Sequence, residues 1–303
     1  MAAGAFTTAK PTARHREKPR GFALALPAML WLGIFFVLPL LIVLVISFLT
    51  RGTRGVQFTT PVTIDNYIDI LSFPYVDVFW ESIGIAALTT IICLIIGYPL
   101  AFYIATRKSR IMQNLTLFLV ILPFWTNFLV RTYAIKVILG ADGPVNATLM
   151  NLGLITEPLQ IVNSRFAVLL GLTYSYLPFM VLPIYASVER FEFRLVEAAN
   201  DLGANDLRAF LRVVLPLTLP GVVAGSILVL IPTIGAFITP DILGGTQGLM
   251  IGNLITQQFR GSGNWPRGSA ASMVMMLLVM IALIGYVLMS ARAALTNRRR
   301  PME

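Results

Sequence analysis

The chain has 303 residues, 57% of them hydrophobic and only 12% charged, with a mean hydropathy of +0.80. Soluble domains carry about 25% charged residues, so a soluble globular fold is excluded. Long continuous apolar runs, rather than alternating ones, also exclude a closed β-barrel.

The first 21 residues form a basic tail containing Lys10, Arg14, Arg16, Lys18 and Arg20. Six apolar segments follow, at about 22–49, 82–105, 115–130, 166–187, 217–239 and 270–291, and a second basic tail occupies 292–303. The first segment is too long for a signal-peptide core and ends without a small-residue cleavage site, so it reads as a retained span. Arg131 and Lys136 interrupt the continuation of the third. The expected architecture is an all-α, multi-pass membrane protein with one 22–291 domain of six transmembrane helices.

Lysine and arginine fix the expected orientation. With the amino terminus inside, sixteen of the 23 basic residues lie on the cytoplasmic side, among them Arg107, Lys108, Arg110, Arg190, Arg194, Arg208, Arg212 and Arg292. The fourteen acidic residues divide equally, which places the whole net charge of +9 inside. The positive-inside rule then puts both termini in the cytoplasm. The basic excess thus reports orientation and contact with the lipid bilayer rather than nucleic-acid binding.

Enzymatic readings lack their residues. The only histidine is His15 in the tail, the only cysteine, Cys93, lies in an apolar run, and no HExxH, GxSxG or paired-cysteine pattern exists. No Gly-Lys dipeptide is present, so the chain has no phosphate loop of its own. The expectation is a non-enzyme that binds no cofactor, with ATP and Mg used by a partner. A secondary transporter, the rival class, places ionisable residues deep in its spans, and the six apolar runs hold none.

Between the fourth and fifth segments the chain turns polar in "EAANDLGANDLRAFLRVVLPLTLP", residues 197–220. Glu197-Ala198-Ala199 suits a helix, Gly203 supplies a left-handed turn, Asn205 or Asp206 can cap a second helix, and Pro216 is expected to stop it. Arg208 and Arg212 share one face of that second helix, with Leu207, Phe210 and Leu211 on another. A rigid cytoplasmic bracket at about 189–216 makes sense as a handle for another protein.

The spacing of Glu197-Ala198-Ala199, Gly203, Val213 and Leu215-Pro216 resembles the cytoplasmic signature of permease subunits of binding-protein-dependent ABC importers, with Val213 where isoleucine is commoner. The resemblance implies a type I ABC importer permease fold in a bacterial cytoplasmic (inner) membrane. It also implies a coupling helix docked on an ABC ATPase dimer, a second permease subunit that is a different chain, and a periplasmic or extracellular solute-binding protein. Glu197, Ala198, Ala199, Gly203, Asp206, Leu215 and Pro216 are the coupling candidates.

The stretches "LPFWTNFLVRTYAIKVIL" (122–139), "GPVNATLMNLGLITEPL" (143–159) and "ITPDILGGTQGLMIGNLITQQF" (238–259) are similar to those of spermidine/putrescine permeases. Related permeases carry thiamine, ferric iron or amino-acid-like solutes on the same scaffold. Ala236-Phe237 stands where some polyamine permeases carry an acid, which removes one cation contact. A polycation is held by acids and aromatic faces, so Trp125, Thr126, Asn127, Tyr174, Tyr176 and Asp241 are the path candidates, although tyrosine and tryptophan also populate the interfacial belt. Arg131 is expected to snorkel to the outer interface or pair with an outer acid. Prolines 27, 39, 99, 123, 178, 183 and 232 read as fixed kinks or as pivots for alternating access.

Overall fold

A computed structural model describes residues 20–52 and 57–298; the expected tail 1–21 falls almost wholly outside these. The chain divides into two compact units, Met1–Val45 and Ile46–Glu303. The first contains most of the first span, Ala25–Ser47. In apolar surroundings every backbone group must be satisfied within its own segment, so such runs become helices. This one is α-helical except for a π turn at Gly33–Val37, in which Leu38 N–H donates to Gly33 O, and Leu38-Pro39 follows at once.

In the second unit, a short antiparallel ribbon pairs Leu49–Arg51 with Phe58–Val62. The second span is Tyr75–Ala105, longer at its start than the apolar run predicts. The extra turns carry Glu81, whose charge is met by Arg165 at 2.6 Å. The fourth, fifth and sixth spans are Arg165–Glu189, Asp206–Ile234 and Trp265–Gly285. The last helix runs on to Arg298, so the tail expected from 292 is helical at its start.

The third span differs from expectation. Arg110–Trp125 and Phe128–Asn151 pass the length and hydropathy requirements only together, and they are bent by 95° at Thr126-Asn127. The Glu81–Arg165 pair shows that this is a broken span and not a re-entrant loop. It joins the beginnings of the second and fourth spans, so those two run parallel and the chain between them must cross from one end of the bundle to the other. Gln113, near the start of the crossing, donates to Tyr185 near the end of the fourth span at 2.9 Å, as that geometry requires.

The second, fourth and fifth spans form the core of this unit, around a cluster that includes Cys93, Met180, Ile184 and Val229. Lipid supplies no hydrophobic drive between helices, so close approach through small residues holds them. A side chain on Gly221 would lie 2.5 Å from Ser187 Cβ and 2.6 Å from Pro183 O, and one on Gly225 would lie 2.9 Å from Met180 Sδ. Buried hydroxyls add a polar tie, with Tyr98 and Thr218 hydrogen-bonded at 2.9 Å.

Two ends of this bundle can be distinguished. The loop end carries residues 105–110 and 189–206. The far end carries three short helices, Pro144–Asn151, Ile238–Leu243 and Ile251–Thr256. Buried amides and hydroxyls staple these in place: Asn146 bonds Gly140 O and both backbone groups of Leu159, Ser82 accepts from Ile251 N at 2.8 Å, and Asn253 donates to Phe237 O at 2.9 Å.

Candidate functional site

The loop at the loop end opens with helix Arg194–Asp201, which carries Glu197, Ala198 and Ala199. It closes in a double hydrogen bond: Gly203 N–H donates to Asn200 O at 2.9 Å and Ala204 N–H to Ala199 O at 3.0 Å. That Schellman pattern needs a left-handed residue after the cap, and Gly203 supplies it with φ +85°. Asn205 then caps the next helix, its side chain accepting from Arg208 N at 2.9 Å. Asp206 is the first residue of that helix, exposed, and favourable at its positive end.

The expected stop at Pro216 does not occur. From Asp206 the helix passes through a π turn, Phe210–Val214, with Leu215 N–H donating to Phe210 O, and continues as Leu215–Ile234. Proline disrupts an α-helix because it lacks N–H and crowds the carbonyl four residues back. Here a widened turn immediately precedes it, and Pro216 falls at the opening of the new α segment, where its N–H is not required. The second half of the bracket is therefore the first part of the fifth span. Leu215 packs against the core cluster and Pro216 is exposed beyond the π turn, so neither joins the Glu197–Asp206 surface.

Aromatic edges fasten the loop to the bundle. Phe210 meets Tyr98 at 5.6 Å and Phe102 at 6.3 Å, and Phe102 meets Phe193 at 6.2 Å. Phe210 thus turns inward, away from Leu207 and Leu211, which remain exposed. Leu202 at the turn is 89% exposed. A groove of about 280 Å³ runs under the turn, lined by Ala199, Gly203, Ala204, Arg208, Arg212 and Val213 among others. Glu197 is exposed and makes no ion pair among the described residues. The surface thus combines unpaired charge, exposed leucines and a shallow groove on a firmly anchored base.

The second group of candidates lies at or near the break in the third span. Trp125 is 78% exposed, with its ring edge-on to Phe118. Thr126 Oγ1 donates to Pro123 O at 2.7 Å, and Asn127 Oδ1 accepts from Leu129 N at 2.8 Å. Thr126 and Asn127 are thus the residues that make the bend, with their side chains committed to it. Arg131 neither pairs with an acid among the described residues nor extends away. Its Nη1 donates to Pro123 O at 2.9 Å, and its Cζ sits 5.4 Å from the Phe128 ring centre and 5.7 Å from that of Tyr174. A helix turns about 100° per residue, which separates Tyr174 from Tyr176 around the fourth span. Tyr176 instead directs its hydroxyl to Pro232 O on the fifth, at 3.4 Å. Asp241 is exposed on Ile238–Leu243, which packs against Phe128–Leu139 and the fourth span. Arg131 and Pro123 were not among the sequence candidates. The signal available was a charge six residues past the proline-aromatic stretch 123–125.

A solved bacterial ABC transporter involved in import of the acidic polysaccharide alginate has the same fold in one chain. Its TM-score is 0.70 at 17% identity, covering 90% of this chain and 95% of that one. The fold is therefore that of an ABC importer's membrane-spanning component. Residues 97–301 match the family described as binding-protein-dependent transport system inner membrane component, and the chain belongs to that family. It is similar to the spermidine/putrescine transport system permease protein PotB of Haemophilus influenzae, at 46% identity over 90% of this chain and 94% of that protein. It is also similar to PotB of Escherichia coli, at 42% identity over 84% and 92%. The chain is a permease component of an inner-membrane ABC transporter.

Proposed function

We propose that the solute carried through this permease is a polyamine, spermidine or putrescine. The observation that carries the reading is the 46% identity to a spermidine/putrescine permease along nearly the whole of both chains. Exposed Trp125 and Tyr174 with Asp241 supply the aromatic and acidic chemistry that holds a flexible polycation. Both termini face the cytoplasm, a solute-binding protein delivers cargo at the far end, and a second permease chain completes the path. An ABC ATPase dimer, which alone uses ATP and Mg, grips the loop through Glu197, Gly203 and the groove beneath them.

The test is uptake of radiolabelled putrescine and spermidine by proteoliposomes holding the complete transporter and its binding protein. ATP-dependent uptake of either is expected. Uptake of thiamine or iron, and of neither amine, overturns the substrate and leaves the permease assignment standing.

A further inference from the structure

The break in the third span leaves one carbonyl in an unusual position. In a continuous helix Pro123 O would accept from Asn127 N–H, but ψ is 144° at Thr126 and 132° at Asn127, so that bond is lost. Pro123 O instead collects Thr126 N, Thr126 Oγ1 and the Arg131 guanidinium. Arg131 is the unusual member of this group. A cation in a spanning segment ordinarily pairs with an opposite charge or with backbone carbonyls; none of the described carboxylates lies within ion-pair distance, one carbonyl serves, and the buried Nε has no hydrogen-bond partner among the described residues. A carbonyl and the faces of Phe128 and Tyr174 hold its charge. These are the groups that recognise an ammonium ion.

We propose that Pro123 O with the rings of Phe128 and Tyr174 forms a binding site for an ammonium group of the transported cation, and that Arg131 is a tethered occupant displaced as the cation enters. The inference rests on the polyamine reading. Substrate and Arg131 cannot share the site: two unit charges about 6 Å apart, at an effective dielectric near 20, weaken binding by about a hundredfold. Arg131 therefore keeps the empty path closed to small cations and lowers the resting affinity for the solute, which favours release once the side chain returns.

The experiment is equilibrium binding of radiolabelled spermidine and putrescine to the permease–ATPase complex in nanodiscs, without the binding protein. Relief of that repulsion, part of it screened by salt, should tighten spermidine binding by about tenfold in Arg131→Gln. The gain should be smaller for divalent putrescine, and Arg131→Lys should stay near wild type. A merely structural clamp predicts the opposite sign, because losing it would loosen the break and weaken binding. Tyr174→Leu, with Arg131 intact, should weaken binding of both amines and keeps the inference open to refutation if Arg131→Gln fails to assemble. Binding to Arg131→Gln no tighter than wild type, or Tyr174→Leu binding unchanged, overturns the proposal while wild-type uptake of the amines still stands. Absence of amine uptake by the complete wild-type transporter overturns the substrate reading, and this inference with it.

Discussion

Gly221→Ala tests how the fourth and fifth spans are held together. The added carbon would sit 2.5 Å from Ser187 Cβ and 2.6 Å from Pro183 O, whereas carbon atoms in good contact are about 3.5–4.0 Å apart. The serine cannot rotate its Cβ away, and the oxygen belongs to the backbone, so the two helices must part by about 1 Å. Overpacking of this kind costs about 1–3 kcal/mol. A chain of this size then melts about 2–10 °C lower. The protein carries its own reporter, because its single cysteine, Cys93, is fully buried in the cluster these spans form. Heating detergent-solubilised protein with a fluorogenic maleimide reads the temperature at which Cys93 becomes reactive. Gly84→Ala is the control: nothing lies within 4 Å of its added carbon, and alanine is the better helix former. It should melt no lower than wild type. The reasoning is refuted if Gly221→Ala melts with the wild type, or if Gly84→Ala falls equally.

The loop predicts a different kind of defect. Gly203→Ala meets no neighbour within 4 Å, so its penalty is the left-handed backbone alone, about 1–2 kcal/mol, and the turn should distort while the spans stay intact. Glu197→Ala should weaken ATPase co-purification, by about 3–5 kcal/mol if the carboxylate pairs in a dry groove and by about 0–1 kcal/mol if the pair is wet. Wild-type ATPase binding and transport in both variants would make the loop a mere connector. Topology is tested with the exposed positions Leu202→Cys and Ala147→Cys: an impermeant maleimide added outside intact cells should label the second and spare the first. The reverse pattern would invert the orientation.

Features governed by local rules were legible in the sequence. Gly203 was read as a left-handed turn because a helix end there needs one, and Asn205, one of two candidates, is the cap. The spans followed from apolar length. Pro216 misled because the proline rule is local, whereas the π turn before it is held by packing of Phe210–Val214 against helix Arg194–Asp201. The break at Thr126-Asn127 was hidden because two polar residues inside an otherwise apolar run do not by themselves say whether a span continues or bends. Pro123 and a capping asparagine were its only marks. Arg131 was expected at the interface or beside an acid, and its place over Tyr174 depends on a fold of the third span that periodicity does not encode. The far-end staples escaped notice for a simpler reason: Ser82 and Ile251 are 169 residues apart.

The π turn at Phe210–Val214 also fixes an angle. Each α-helical residue advances about 100° around the axis, and a π turn takes up one residue more than an α turn. Losing that residue would rotate Gly221 and Gly225 about a quarter-turn away from Ser187 and Met180. The surface around Asp206 and the small-residue face deeper in the span are therefore set in phase by a single inserted residue. The helix is unbroken from Asp206 to Ile234, so a rotation of its first turn about the helix axis would be carried to that face. A π turn also stands before Leu38-Pro39 in the first span, so an insertion or deletion of one residue in either turn changes the rotational phase of the helix on its two sides.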